Sequence, residues 1–285
     1  MATLPNNERE FLAGLSERTR ILIPDDDVFY ASCDKTVAVA GVGGIGCMVI
    51  EMLARWGIKR FRLADSDKFE VSNLNRQMFS TVDEVGKWKA EVGAKRIKAI
   101  NPYADVELVI NDKLSPKNIS RFSDGADILI NATDSGACRI LLDNAARKLR
   151  LPLVYGHGSG PGGMKIYVFD YRKPEQRGLE NPFKLEILNK LRNRYAKATV
   201  KDVEKMTEAE LAALDRHPIW GVLGFTVNLC ACYMVAEAIK LLTGLGKVNL
   251  YPKETVLDVF ESTMEVRNKY SPLYAVRQLR QRKAE

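Results

Sequence analysis

The sequence predicts an α/β fold built on an open, mostly parallel sheet, and its first hundred residues carry that prediction. An apolar stretch, residues 37–40, suits a buried strand and runs into a glycine-rich turn, Gly41-Val-Gly43-Gly44-Ile-Gly46. Apolar residues then recur at helical spacing from 45 to 53. A second strand, Arg60–Ala64, ends in Asp65. A strand, a glycine turn, a helix and a strand in this order are typical of the nucleotide-binding start of such a sheet.

The turn and Asp65 together predict a nucleotide site. Glycines let backbone N–H groups at a helix N-terminus approach phosphate oxygens. A carboxylate at the end of the second strand can accept hydrogen bonds from both ribose hydroxyls. These features fit NAD, FAD and ATP equally.

The next segments favour ATP. Asp65 is followed by a polar cluster made of Asn73, Asn75, Arg76 and Gln77. Lys89 comes after it, and a dinucleotide has no γ-phosphate for Arg76 and Lys89 to neutralise. Asp134 follows a predicted strand, residues 127–131, and supplies a carboxylate of the kind that Mg²⁺ prefers. Strand ends at this edge of an open α/β sheet converge on the ligand crevice.

These motifs resemble those of the ThiF/MoeB/ubiquitin-activating-enzyme (E1-like) superfamily of ATP-dependent adenylyltransferases. The matching segments, in the family's order, are the glycine turn, Asp65-Ser-Asp67, Ser72-Asn73-Leu-Asn75-Arg76-Gln77, Lys89, Ile100-Asn101-Pro102, and Ala132-Thr133-Asp134-Ser135 with Arg139. The resemblance runs from about residue 16 to 261. It implies a Rossmann-like, doubly wound, mostly parallel sheet with an ATP-binding glycine turn and C-terminal antiparallel strands.

The resemblance also implies roles for single residues. Asp65 would bind ribose, and Arg76 with Lys89 would contact the phosphates. Asn73 would orient the reacting groups, and Asp134 would hold Mg²⁺. Arg20 lies where the family has an arginine that reaches into the partner subunit's site. The other residues expected to contact the nucleotide are Gly41, Gly43, Gly44, Gly46, Asp67, Asn75, Gln77 and Ser135.

The length of 285 residues and the 46% hydrophobic content favour one domain over residues 1–285. We expect an N-terminal helical arm (1–34), a crossover insert (170–217) and a C-terminal tail (262–285). The insert is basic, has no cysteine, and is predicted to be helical around 181–191 and 203–214. Ubiquitin-activating members carry a nucleophilic cysteine in this crossover. We therefore expect activation to stop at the adenylate, or to pass to a nucleophile of the substrate.

The cysteines argue against structural zinc. The chain has no Cys-x-x-Cys, and its closest pair, Cys230 and Cys232, would point about 200° apart on a helix. We expect Cys138, in the first turn of the helix after Asp134, to be a buried packing residue and not an activated thiolate. Irregular cysteine spacing and the lack of a signal-peptide pattern favour the reducing cytoplasm.

The remaining segments also carry expectations. Residues 218–238 are almost continuously apolar, but Gly221, Gly224 and Asn228 interrupt them, so we expect a buried helix capped by His217 and not a membrane span. Basic runs at 184–201 and 277–283 account for much of the net charge of +7 and are expected to be solvated faces. His157 lies in a predicted glycine-rich loop after strand 151–155. It is either a general base or substrate-carboxylate contact, or a hydrogen-bonded loop residue.

The leading hypothesis is an ATP- and Mg²⁺-dependent adenylyltransferase that activates a carboxylate of a peptide or small protein, for cyclisation or dehydration of a ribosomally made peptide. It would act as a homodimer, and we expect no membrane partner. The alternatives are an enzyme like the tRNA threonylcarbamoyladenosine dehydratases, suggested by the basic segment 181–194, and an activator of a ubiquitin-like sulfur carrier. Arg76 and Lys89 argue against a NAD(P)-dependent oxidoreductase. An inactive scaffold would be expected to lack Asp134 or Arg76.

Overall fold

The computed structural model of the chain describes residues 5, 7–158, 162–184, 188, 206–207, 210, 221 and 223–269. Within these residues eight strands form one sheet. In chain order, β1 to β8 are Thr36–Ala40, Arg60–Ala64, Asp105–Ile110, Ile128–Asn131, Pro152–Gly158, Gly163–Asp170, Lys253–Asp258 and Thr263–Asn268.

The helices of the same residues lie between these strands and before them. In chain order, α1 to α9 are Glu8–Leu15, Glu17–Arg20, Asp26–Cys33, Gly44–Trp56, Lys89–Ile100, Ile119–Ser123, Gly136–Leu149, Pro174–Arg177 and Gly224–Thr243. Two short 3₁₀ turns, Val71–Asn73 and Val82–Glu84, lie between β2 and α5.

The sheet has the order β3-β2-β1-β4-β5-β6-β7-β8. The pairs from β3 to β5 are parallel, and those from β5 to β8 are antiparallel. This confirms the predicted α/β sheet with C-terminal antiparallel strands. Because the strand order reverses at β1, between β2 and β4, a ligand crevice opens at the carboxyl ends of these three strands.

Both faces of the sheet are covered, as the fold prediction required. All five residues of β1 are buried. Val37 and Val39 enter one apolar core, which α4, α5 and α9 complete, whereas Ala38 and Ala40 enter a second core with α6 and α7. The alternation follows from the two-residue period of a strand.

The long apolar helix begins later than predicted. α9 starts at Gly224 after Leu223, and the described residues before it, 221 and 223, are not helical. The first residue of the helix has to be glycine, because a Cβ atom on Gly224 would lie 2.6 Å from the carbonyl oxygen of Asn75. His217, expected to cap the helix, lies outside the described residues.

Helix α9 is a core helix. Of the residues described, it is the one helix long and apolar enough to cross a membrane by length and composition, and half of its apolar window is buried. It packs on α4 and on strands β5 and β6. Cys230 on this helix is buried, whereas Cys232 is exposed, as expected for side chains on different sides of a helix.

Strand β5 is longer than predicted. It runs to Gly158, because antiparallel β6 pairs with it along its whole length, and His157 lies opposite Lys165. The prediction that His157 lies in a loop was therefore wrong. The glycine-rich loop itself, at 159–161, is outside the described residues.

A buried carboxylate anchors the chain after β6 to α7. Asp143 is fully buried. It accepts hydrogen bonds from Arg147 Nε at 2.7 Å, from Asn181 Nδ2 at 2.7 Å, and from the hydroxyl of Tyr171. Asn181 in turn accepts a bond from the N–H of Phe183 at 2.8 Å. The start of the insert is therefore tied to α7, while its predicted helices at 181–191 and 203–214 lie largely outside the described residues.

Candidate active site

The glycine turn is compressed between the ends of β1 and β4. Gly41 has a φ of +91°, and a Cβ atom there would lie 2.7 Å from the carbonyl oxygen of Ala132. A Cβ atom on Gly46 would lie 1.9 Å from the carbonyl oxygen of Gly41. Both positions therefore require glycine. The turn leads directly into the N-terminus of α4, which can bind phosphate through its free N–H groups.

Asp65 is fixed beside this turn. Its Oδ2 accepts a hydrogen bond from the N–H of Val42 at 2.6 Å, and its Oδ1 accepts one from the N–H of Asp67 at 2.9 Å. Burial raises the pKa of Asp65, while the two backbone hydrogen bonds and Lys89 act in the opposite direction. The carboxylate predicted for ribose thus lies at the mouth of the turn.

Lys89 is the first residue of α5 and is buried. Its ammonium Nζ lies 3.1 Å from Oδ2 of Asp67, whose side chain is largely exposed. The ion pair holds a buried cation on the same side of the turn as Asp65. An arriving phosphate can take the place of the exposed carboxylate as the partner of this cation.

Arg76 and Gln77 cover the start of α4. The Cγ atom of Arg76 lies 3.8 Å from where a Cβ atom on Gly44 would be, and Nε2 of Gln77 lies 3.8 Å from that position on Gly43. Nη1 of Arg76 donates to the carbonyl of Ser72 at 2.8 Å and to Oδ1 of Asn75 at 2.9 Å. A cation is thus held next to the turn by neutral groups, and no carboxylate of the described ranges forms an ion pair with it.

Asn73 holds the backbone of this cluster, and of the residues before it, by hydrogen bonds. It is buried, its Oδ1 accepts from the N–H of Glu70 at 3.1 Å, and its carbonyl accepts from the N–H groups of Arg76 and Gln77. The backbone carbonyl of Asn73 therefore supports the segment that carries Arg76, and its side chain holds the preceding turn at Glu70.

Asp134 follows β4, two residues after the Ala132 carbonyl that meets the turn, and is exposed. No ion pair joins it to another residue of the described ranges. Ser135 caps α7 by accepting from the N–H of Cys138 at 3.2 Å. Cys138 is buried, as expected for a packing residue, and its lack of a catalytic role stays a prediction.

The donor set fits Mg²⁺ bound largely by phosphate and water. Within the described residues, no group of three or more His, Cys, Asp or Glu side chains is placed to hold a metal ion. One exposed carboxylate, Asp134, beside the phosphate turn suits a cation that keeps several waters and binds one or two carboxylates.

Arg20 is not brought to these residues within its own chain. Its Nη1 pairs with Asp26 at 2.6 Å, and its guanidinium lies 5.8 Å from the ring centroid of Tyr30. The next two residues, Ile21 and Leu22, are about four-fifths exposed (80% and 82%). Its role in a partner's site stays a prediction.

Sequence reasoning missed the surroundings of His157. The ring stacks on Tyr155 and Tyr167 with centroid distances of 5.3 and 6.0 Å. Burial, with the nearby Arg139 cation, lowers the pKa of His157 to about 3. Nδ1 lies 2.7 Å from the carbonyl oxygen of Gly158, so Nδ1 carries the proton. A ring with so low a pKa is a poor general base at neutral pH.

The fold and this site define a class of protein. A glycine turn at the reversal point of an α/β sheet, faced by Asp65, Lys89 and Arg76, is the arrangement of the E1-like adenylyltransferases. The sequence model of the ThiF family matches residues 26–273. The chain belongs to the ThiF family, and its relatives establish it as an ATP-using adenylyltransferase.

Several relatives are informative. The chain is 32% identical over 217 residues to the sulfur carrier protein adenylyltransferase of Thermus thermophilus, covering 74% of this chain and 70% of that one. It is 40% identical over 128 residues to the Escherichia coli tRNA threonylcarbamoyladenosine dehydratase, covering 45% of this chain and 47% of that one. The structure of E. coli MccB with AMPCPP and MccA matches with a TM-score of 0.68 at 18% identity, covering 95% of this chain and 75% of that one. This last likeness supports the fold alone.

Proposed function

We propose that this protein activates a carboxylate of a peptide or small protein as an acyl-adenylate, for the modification of a ribosomally made peptide. The observation that carries the proposal is the set of charges around the glycine turn. A buried Lys89 and an Arg76 held by neutral groups lie near the turn. The exposed carboxylate of Asp134 comes two residues after Ala132, which contacts the turn.

The reaction follows from these positions. A carboxylate oxygen of the acceptor attacks the α-phosphorus of ATP, a new P–O bond forms, and the bond to the β-phosphate oxygen breaks to release pyrophosphate. Arg76 and Lys89 stabilise the negative charge that develops on the departing pyrophosphate. One such preorganised donor is typically worth about 3–4 kcal/mol of transition-state stabilisation.

Mg²⁺ would supply further charge neutralisation at the phosphates, and Asp134 would hold it. The exposure of this carboxylate and its position beside the turn support that assignment. Asp65 orients the nucleotide through the ribose, and Asn73 maintains the loop that carries Arg76.

A peptide acceptor is supported by what the sequence lacks. Residues 170–217 contain no cysteine, so no thiol of the crossover segment can take over the acyl group. The sequence also has no Cys-x-x-Cys pair. The adenylate would then be attacked by a nucleophile of the substrate itself, which gives a cyclised or dehydrated product.

A second function is favoured by one comparison. The 40% identity to a tRNA threonylcarbamoyladenosine dehydratase over 128 residues makes a carboxylate on tRNA an alternative acceptor. The same charges would activate it, so the acceptor and not the chemistry separates the two proposals.

Carboxylate-dependent exchange between ATP and labelled pyrophosphate tests both. Purified protein is mixed with ATP, Mg²⁺ and one acceptor: acidic peptides, a ubiquitin-like protein with a Gly-Gly end, or total tRNA. Exchange with peptides alone supports the proposal. Exchange with tRNA alone assigns the second function, and no exchange with any acceptor contradicts both.

We further infer a homodimer in the cytoplasm. Arg20 lies apart from its own chain's turn and next to two exposed apolar side chains, Ile21 and Leu22, which a second subunit could cover. The cytoplasmic assignment is supported by five free cysteines with irregular spacing.

A further inference from the structure

A stack of buried rings lies on the α7 face of β5 and β6. Tyr155, His157 and Tyr167 are mutually parallel within 24°, with centroids 5.3–6.0 Å apart. Phe183 meets Tyr155 edge-on at 4.7 Å. Tyr155, Tyr167 and Phe183 are at most 4% exposed, and His157 is half-buried.

Cations are held against this stack. The guanidinium carbon of Arg139 lies 4.8 Å from the centroid of Tyr155, and Nζ of Lys269 lies 4.6 Å from that of Tyr167. Lys165 faces the same side of the sheet, opposite His157 in the strand register. Aromatic faces attract cations without neutralising them.

The charges of this group do not balance. Lys269 has a carboxylate neighbour, Glu254, at 3.6 Å. Neither Arg139 nor Lys165 has a carboxylate within ion-pair distance among the residues that the structure describes. The guanidinium of Arg139 donates a hydrogen bond from Nη2 to the carbonyl oxygen of Asp134 at 3.3 Å. Its buried Nε has no hydrogen-bond partner among the described residues. In the part of the chain that the structure describes, these two half-buried cations, linked through Tyr155 and His157, thus have no ion-pair partner.

The group adjoins the adenylation centre. Arg139 is in the first turn of α7, five residues after Asp134, and reaches back to the Asp134 carbonyl. His157 is the last residue but one of β5, which pairs with β4, and Asp134 follows β4. An acceptor that approaches the glycine turn over the carboxyl ends of β4 and β5 on this face of the sheet would pass Arg139 and Lys165.

We propose, resting on the adenylation function above, that Arg139 and Lys165 bind the acidic side chains of a peptide acceptor next to the carboxylate that is activated. The acceptor is then an acidic peptide segment and not a neutral Gly-Gly tail. The imidazole ring of His157 lies next to Tyr155 and opposite Lys165, and because it is neutral it adds no charge to the subsite.

The burial of the rings favours a peptide over RNA. Single-stranded nucleic acid is bound through aromatic faces on which bases stack. Here Tyr155 and Tyr167 are buried, and their faces are occupied by Arg139 and Lys269. Because no ring face is open for a base to stack on, the cations of this group suit carboxylates better than bases.

Fluorescence anisotropy with the full-length protein tests the subsite. The probes are the labelled peptide Gly-Glu-Gly-Glu-Gly-Glu, its counterpart with glutamine in place of glutamate, and a labelled twelve-nucleotide adenosine RNA. We expect the glutamate peptide to bind about tenfold more tightly than the glutamine peptide, as befits hydrogen bonds between charged groups. Lys165→Gln and Arg139→Gln should each remove most of that preference, and Lys165→Arg should keep it.

Lys148→Gln is the matched control, because Lys148 is exposed on the same helix as Arg139 and the change removes the same charge. Thermal unfolding of each variant checks that it is folded. Equal binding of the two peptides, an equal loss in the Lys148→Gln control, or tighter binding of the RNA would each overturn the proposal.

Pyrophosphate exchange separates this proposal from the proposed function. A preference for the glutamate peptide without exchange on any acceptor would leave the subsite standing and remove the adenylation function. Exchange that proceeds equally with acidic and neutral peptides would support the adenylation function and remove the acidic subsite.

Discussion

Replacing Gly46 by alanine should abolish nucleotide binding while the rest of the sheet stays folded. The new Cβ atom would lie 1.9 Å from the carbonyl oxygen of Gly41, well inside the 3.0 Å that real Cβ contacts respect. Relief requires a shift of more than 1 Å, either of β1's end or of the first turn of α4. The end of β1 and residues 46 and 47 of α4 are buried, so neither segment can shift freely and the turn must open.

The cost can be bounded. Overpacking a buried site usually costs about 1–3 kcal/mol, which lowers the melting temperature without unfolding the chain. The larger effect is on ATP, because the displaced N–H groups no longer converge on phosphate. We expect affinity for ATP, measured by isothermal titration calorimetry, to fall by about 10²-fold or more, as when a preorganised anion-binding group is lost.

Gly14→Ala is the control. Gly14 lies in α1, and a Cβ atom there meets nothing within 4 Å. Alanine should leave ATP binding unchanged and raise stability by about 0.5–1 kcal/mol. A Gly46→Ala protein that binds ATP like the wild type would refute the phosphate role of the turn.

Three further predictions concern other parts of the chain. Arg20→Ala should lower turnover and leave the dimer intact, because it removes a charge and not packing; sedimentation that shows a fully active monomer at micromolar concentration would contradict the dimer. Purified protein should hold less than stoichiometric zinc, and EDTA should stop turnover reversibly without unfolding; about one tightly held zinc per chain in metal analysis would reopen the roles of Cys230 and Cys232. The pKa of His157 is about 3 in the folded chain and about 6.5 when unfolded, so the unfolded state binds the proton first as the pH falls through that window. Between pH 7 and 5 the wild type should therefore lose up to about 2 kcal/mol more of its unfolding free energy than His157→Gln in urea titrations, and parallel losses would show that the ring is not shielded.

Local pattern was enough for the first half of the fold. The strand at 37–40, the glycine turn and Asp65 are contiguous features, and the structure brings them together through bonds such as that between Val42 and Asp65. They were predictable because a turn, a helix start and a strand end are each encoded by neighbouring residues.

Features set by distant contacts were not predictable. The end of β5 at Gly158 depends on its pairing with β6, and the need for glycine at the start of α9 comes from the close approach of Gly224 to the Asn75 carbonyl. Likewise, no local pattern indicates that Asp143 joins Tyr171 and Asn181, since these residues meet only after the sheet has formed.

The most direct test of the proposed chemistry is pyrophosphate exchange in four variants. Arg76→Ala, Lys89→Ala and Asp134→Ala should each slow exchange by about 10²-fold or more, whereas Cys138→Ala should leave it nearly unchanged. Lys87→Ala is the control for Lys89→Ala, because Lys87 is exposed and pairs with Glu84 at 3.3 Å.

The same reactions, run on denaturing gels with and without thiol, report whether the acyl group ever reaches a cysteine. We expect no thiol-labile adduct in the wild-type protein. Exchange that survives loss of both Arg76 and Lys89, or an adduct mapped to Cys138, would contradict the claim that this enzyme activates its acceptor at the glycine turn and stops at the adenylate.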